Sequence, residues 1–311
     1  MAIIVFLNAA IQAGTPLLFA TSGEILTEKS GNLNLGVEGL MLIGAVFGFL
    51  AGHLTNSPIL AVLTAALSGA LCGLLFAWLT VSLRANQVVT GLSITIFGTG
   101  LSGYIGRSLM GQIMSESFTH TFRIIEIPLL SQIPFIGPIL FKQNIFVYSG
   151  MICAILLGLY LKKTRFGLNL RVIGENPYAA DASGIQVSLY KYIHIAAGGA
   201  LCALGGAYLS LVYVPAWQEQ ITAGRGWIAV ALVIFSSWNP NRAIFGAFLF
   251  GGLDIIGFRI QQFDIPISQY LIDMLPYVVT IGALIFMSVR KSGSGNAPEG
   301  LAEPYFREER Y

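Results

Sequence analysis

Charge is what this sequence has least of. Asp, Glu, Lys and Arg make up 10% of 311 residues, against about a quarter in an ordinary soluble domain. So few ionic groups exclude an ordinary soluble protein. A net charge of +2, with no basic stripe and no interleaved aromatics, also excludes a nucleic-acid surface. Cysteine is scarce: Cys72, Cys153 and Cys202 are odd in number and widely spaced, each within an apolar run. They read as packed free thiols, not as disulfides or metal ligands. His53, His120 and His194 have no metal-ligand spacing. A nucleotide-binding P-loop is missing, because Lys29-Ser30, Lys163-Thr164 and Lys291-Ser292 each lack the preceding glycine. No cluster of titratable groups marks an acid–base site, so neither enzyme chemistry nor a cofactor is expected. The N-terminus has no positive region and no clear cleavage site, and reads as an uncleaved span.

Apolar sequence is plentiful. Hydrophobic residues reach 55% and the mean hydropathy is +0.74. The runs fall near Ala2 to Ile25, Leu35 to Leu54, Pro58 to Leu83, Val88 to Ile105, Asn144 to Leu161, Tyr192 to Val214, Trp227 to Trp238, Ala243 to Phe258 and Tyr270 to Val289. Lipid accepts only helices or closed barrels, and these runs are helix-length. The pattern predicts an all-α integral membrane protein, a polytopic bundle of about nine transmembrane helices. The short run at Trp227 gains support from the Asn239-Pro240-Asn241-Arg242 turn, which reads as a tight hairpin joining two spans. Lys and Arg favour the cytoplasmic side. Placing the connection 162–191 inside leaves only Arg107, Arg123, Lys142, Arg225 and Arg259 outside, which predicts an outside N-terminus and a cytoplasmic C-terminus. Residues 1–291 form the transmembrane domain, 111–142 an outer-surface connection, and 292–311 a flexible, Gly-, Ser-, Pro- and Glu-rich tail.

Small residues recur every fourth position at Ala65, Gly69, Gly73 and Ala77, and again at Gly198, Cys202, Gly206 and Ser210. Such stripes let helices pack closely. Ionisable groups at membrane depth cost about 2.5–3.5 kcal/mol each and are candidates for function. Glu38 qualifies, behind the polar, glycine-punctuated stretch Ser30 to Gly39. That stretch is either a solvated turn with Asn34 capping the next helix, or a broken helix inside the bundle facing a solute path. Asp254 lies in the eighth run, with Arg259 and Asp273 as charges near it in sequence, and reads as internally paired or as a solute contact. Asn32, Asn34, Glu38, Gln87 and Asp254 are the candidate path residues.

Between the fifth and sixth runs, Asn176 before Pro177 marks a helix start and Gly184 a stop about two turns later. A short capped helix with an alanine face, held between two spans, suits a groove in another protein. The stretch Gly23 to Gly39, the element Gly174-Glu175-Asn176-Pro177-Tyr178-Ala179-Ala180 to Gly184-Ile185, and Ala231-Leu232-Val233-Ile234-Phe235 with Trp238-Asn239-Pro240 together resemble the ABC-importer permeases for simple sugars, branched-chain amino acids and nucleosides. The nucleoside branch is the most similar, over Thr15 to Val289. The resemblance implies a transport subunit of the cell membrane that works by alternating access. It implies a second homologous permease, a cytoplasmic ABC ATPase that hydrolyses ATP, and an extracytoplasmic solute-binding protein as partners. Glu175, Asn176, Pro177, Ala179, Ala180 and Gly184 would then belong to the ATPase-coupling element. Family permeases often show ten spans with an inside N-terminus; against that pattern the nine spans expected here would lack the first, which would leave the N-terminus outside. The rival readings are the same machine for a sugar or branched-chain amino acid, an ion-coupled secondary transporter, and an intramembrane enzyme.

Overall fold

The computed structural model describes residues 2–260, 268, 271, 274–289 and 297–307. Asp273 lies outside the described residues. The helices are α1 (Ala2–Glu28), α2 (Val37–Thr55), α3 (Pro58–Ala77), α4 (Gln87–Gly106), α5 (Glu116–Thr121), α6 (Ile136–Leu140), α7 (Ile145–Lys163), α8 (Arg165–Glu175), α9 (Pro177–Ala182), α10 (Val187–Tyr208), α11 (Arg225–Phe235), α12 (Pro240–Ile260) and α13 (Leu275–Val289). Wider π-helical turns extend α3 over Trp78–Ser82 and α10 over Leu209–Tyr213. Among the described residues six helices, α1 to α4, α7 and α10, are long and apolar enough to cross a membrane. The α11 helix is apolar but shorter.

Ends are set by familiar chemistry. Ser57, Asn86 and Asn144 accept a backbone N–H in the first turns of α3, α4 and α7, and Pro58 opens α3 where its missing N–H costs nothing. The α11–α12 hairpin expected at Asn239 is present, with Pro240 at the start of α12.

Small residues decide the packing. The α10 helix is central, lying against α1, α2 and α3. Its Gly206 faces the Met41 carbonyl of α2 so closely that a Cβ would overlap it. Cys202 Sγ sits 3.5 Å from the Ala20 carbonyl of α1, and Ser210 Oγ donates to the Ala45 carbonyl of α2 at 2.9 Å. The α3 stripe packs on another side of α10, with Gly69 against Gly199 and Ala203. Phe49, Phe76, Met41 and Tyr208 fill the core between these helices, and Cys72, Cys153 and Cys202 are free thiols.

The bundle has two distinct ends. At one, the 111–142 connection forms α5, α6 and a short antiparallel pair, β1 (Ile125–Glu126) and β2 (Lys142–Gln143). Asn8 Nδ2 near the start of α1 donates to the Pro138 carbonyl at 2.9 Å, fixing α6 over this end. At the other lie α8 and α9, beside the C-terminus of α1. Residues 297–307, expected as part of a flexible tail, are packed here. Gly300 N donates to the Gly174 carbonyl at 2.9 Å, and Ala302 N to the Gly31 carbonyl at 3.2 Å. Composition missed this because the segment is held by backbone donors and by Tyr305 and Phe306, not by apolar bulk.

Candidate functional site

Two helices begin inside the bundle instead of at its end, and the polar groups gather there. The α1 helix ends at Glu28 beside α8, whereas α2 starts only at Val37, after a connection that turns back inward. Ser30, Asn32 and Asn34 in that connection are all buried. Their burial rules out the solvated turn that was one reading of Ser30 to Gly39. Asn34 Oδ1 accepts from Gly36 N at 2.8 Å, closing a turn ahead of α2, and no side chain caps the helix itself.

Buried backbone N–H groups in the connection need acceptors, since an unpaired one costs about 1–3 kcal/mol. Side chains from other helices supply them. Gln87 Oε1, at the first residue of α4, accepts from Leu33 N at 2.7 Å. Glu24 Oε1 of α1 accepts from Asn34 N at 3.0 Å. Asn32 Nδ2 lies 3.5 Å from Thr80 Oγ1 in the π-helical turn after α3, and Asn32 Oδ1 is buried with no hydrogen-bond partner. One turn beyond Glu24, the Glu28 carboxylate accepts from the Trp238 indole N–H just after α11. Thus Asn32, Asn34 and Gln87 come together as one polar loop.

Glu38, in the first turn of α2, meets the start of α11. Its carboxylate accepts from Thr222 Oγ1 at 2.5 Å, Gly224 N at 2.9 Å and Gly226 N at 2.6 Å. These are orphan donors of a helix N-terminus, and a carboxylate there is favoured by the helix dipole. Gly224 has φ +80°, which lets the chain turn sharply into α11. The adjacent Arg225 reaches Asp254 of α12 at 3.1 Å, both side chains being largely buried. The 11 residues of α11 rise about 16 Å, roughly half a hydrocarbon core, so α11 alone is too short to cross one. Tyr277 of α13 places its hydroxyl over Gly224.

Several expectations are revised. Arg225, counted with the outer connections, is inside the bundle as the ion-pair partner of Asp254. Arg259 instead lies over the Phe6 ring at 5.6 Å. Sequence reasoning missed Glu24, Thr80, Thr222, Arg225 and Trp238 as members of these clusters. The signal for Glu24 was available, because it falls inside an apolar run as Glu38 does.

At the α9 end, Asn176 Oδ1 accepts from Ala179 N at 2.9 Å and Gly184 adopts φ +82°. Both are as the spacing predicted. Glu175, Asn176, Tyr178, Ala179 and Gly184 are exposed. Pro177 and Ala180 are buried, with Ala180 packed on Ile173 and Val187, so they hold α9 in place. Among the described residues no group of His, Cys, Asp or Glu could hold a metal ion.

A bundle of long apolar helices with buried polar groups at the starts of α2 and α11 is the architecture of a membrane transport protein. Residues 5–284 match the family described as "Branched-chain amino acid transport system / permease component", and the chain belongs to that family of ABC transporter permeases. The guanosine ABC transporter permease NupQ of Bacillus subtilis is 34% identical, over 98% of both chains. The nucleoside ABC transporter permease NupC of Lactococcus lactis is 37% identical, over 86% of this chain and 87% of its own. TsgC13 of Haloferax volcanii, assigned to a glucose ABC transporter, is 33% identical over 97% of both chains. Among solved structures, a chain assigned to a metal-chelate-type ABC transporter in an inward-facing conformation matches 92% of this chain and 85% of its own, with a TM-score of 0.51 and 16% identity, which shows a shared fold alone.

Proposed function

We propose that this chain is the membrane permease of an ATP-driven nucleoside importer, forming the translocation path by alternating access. The observation that carries this reading is the meeting of two buried helix starts, those of α2 and α11, at Glu38, beside a cluster of buried amides and hydroxyls. Nucleosides are neutral and rich in hydroxyl and amide-like edges, and a path of amides, carboxylates and hydroxyls suits them. Asn32, Asn34, Glu38, Gln87 and Asp254 line this path. Asn34, Gln87 and Glu38 hold the broken backbone open, while Asn32 Oδ1 and the Arg225–Asp254 pair offer groups to the solute. Supporting the substrate class are the nucleoside relatives NupQ and NupC.

In this reading about nine helices cross the plasma membrane, the N-terminus is outside, and α8, α9 and the C-terminus face the cytoplasm. Residues 1–291 make the transmembrane unit and 162–191 its coupling connection. A cytoplasmic ABC ATPase seats on α9, contacting Glu175, Asn176, Ala179 and Gly184, with Pro177 and Ala180 fixing the helix from behind. A second, homologous permease completes the pore, and an extracytoplasmic solute-binding protein delivers solute at the α5–α6 end. ATP hydrolysis belongs to the ATPase.

The relative TsgC13 supports a second reading, a sugar as solute. Uptake of labelled guanosine by cells expressing the complete system, competed with unlabelled nucleosides and with glucose, separates the two. Competition by nucleosides alone is expected; competition by glucose alone overturns the nucleoside assignment. Co-purification in mild detergent is expected to bring down an ATPase with the native chain and to lose it on Tyr178→Glu.

A further inference from the structure

Residues 297–307 tie the exposed α9 helix to the loop that carries the polar path. Glu299 N donates to Glu175 Oε2 at 3.1 Å and Gly300 N to the Gly174 carbonyl at 2.9 Å, anchoring the segment on the α8–α9 junction. Tyr305 meets Tyr178 of α9 edge to face with ring centroids 5.1 Å apart, and Arg307 pairs with Asp181 at 3.3 Å. The Arg84 guanidinium, in the connection between α3 and α4, covers the Phe306 ring at 3.4 Å. Between these contacts Ala302 N donates to the Gly31 carbonyl at 3.2 Å, and Asn32 of the buried loop follows directly. The segment is therefore a strap: two attachments on α9, two on its junction with α8, one on the connection between α3 and α4, and one on the turn that leads into the path.

We propose that this strap is a positioning element of transport, passing displacement of α9 to the α1–α2 loop and so to Asn32 and Asn34. The inference rests on the ATPase-coupled reading. Its geometry favours transmission over simple anchoring, because the strap's bond to the loop is made to backbone, at the Gly31 carbonyl, which moves as a unit with the residues next in chain. Ala302 holds φ +68° to make its bond, a conformation that a residue with a Cβ keeps only when its surroundings impose it.

The test uses the full complex in liposomes, measuring ATPase co-purification, ATP hydrolysis and solute uptake together. Ala302→Pro removes the donor to Gly31 and forces φ to about −65°. With this variant the ATPase should still co-purify and hydrolysis should stay within about twofold, while uptake per ATP falls about tenfold. Ala302→Gly keeps the N–H and accepts the positive φ, so native coupling is expected. Tyr305→Ala with Arg307→Ala, which frees the strap from α9 alone, should uncouple in the same way. Unchanged uptake per ATP in Ala302→Pro overturns the proposal, as does parallel loss of assembly, hydrolysis and uptake, which would mean a purely structural role. A native chain that brings down no ATPase instead refutes the underlying reading, and that result is visible before any strap variant is made.

Discussion

Replacing Glu38 by alanine tests the central geometric claim, that one carboxylate fastens the interior start of α11. The carboxylate takes a hydroxyl and two backbone N–H donors. Hydrogen bonds to a charged group contribute about 1.5–3 kcal/mol each, and burying a carboxylate in a span costs about 2.5–3.5 kcal/mol, leaving a net contribution on the order of 2–5 kcal/mol. Alanine also leaves Gly224 and Gly226 N–H without their acceptor. Glu38→Ala should therefore lower the thermal unfolding midpoint of the detergent-purified protein by several degrees. Glu38→Gln should lie between, since the amide keeps one acceptor oxygen but turns a second donor toward the helix. Size-exclusion recovery after a temperature ramp reads both. Native thermal stability in Glu38→Ala, with uptake abolished, would refute the anchoring argument and make the carboxylate a solute contact only.

The Arg225–Asp254 pair should behave as a unit: Arg225→Gln or Asp254→Asn alone strands a buried partner charge at a cost of about 3–5 kcal/mol, and the double variant should recover part of that stability. Additive losses in the same melting assay would contradict this. Gly206→Ala places a Cβ against the Met41 carbonyl backbone and should cost about 1–3 kcal/mol through separation of α10 from α2; an unshifted midpoint would show that the helices yield freely. Glu24→Gln keeps the acceptor for Asn34 N–H and should be tolerated, whereas Glu24→Leu leaves that donor unpaired at about 1–3 kcal/mol, measurable as faster proteolysis of the α1–α2 loop. Equal resistance of both variants would deny Glu24 this role.

Much of the bundle was legible because lipid demands long apolar runs, and among the described residues the six helices long and apolar enough to cross a membrane all fall where such runs are. The small-residue stripes were readable for the same reason: only backbone-to-backbone approach requires Gly69 and Gly206 at those positions. Depth was not readable. Hydropathy reports which residues are apolar, not where along the membrane normal a helix starts, so the interior origin of α11 and the inward return of Ser30 to Gly36 left no trace in it. For that reason Arg225 was counted with the outer charges, although its partner Asp254 had been singled out. The α9 caps were legible because Asn-Pro and a terminal Gly act locally. Its exposed side was not, since Pro177 and Ala180 differ from Ala179 only in which neighbours they meet. The strap escaped notice because three of its attachments are backbone N–H donors and the others are pairings of Tyr305, Phe306 and Arg307 with distant residues, neither of which composition encodes.

The position of Glu38 has a consequence for which solutes the interior tolerates. The N-terminus of α11, whose backbone donors at Gly224 and Gly226 point at this carboxylate, carries roughly half a positive charge. That dipole offsets part of its negative unit, and Arg225 pairs with Asp254 alongside. On the proposed path the charges around Glu38 thus have local partners, and the further buried carboxylates nearby, Glu24 and Glu28, are acidic. An anionic solute arriving there would find no counter-charge to replace its lost hydration, whereas a neutral polar one would find donors and acceptors. Nucleoside 5′-monophosphates should accordingly fail to enter where the parent nucleosides do, and measurable monophosphate uptake by the reconstituted system would show that the charges lack these local partners.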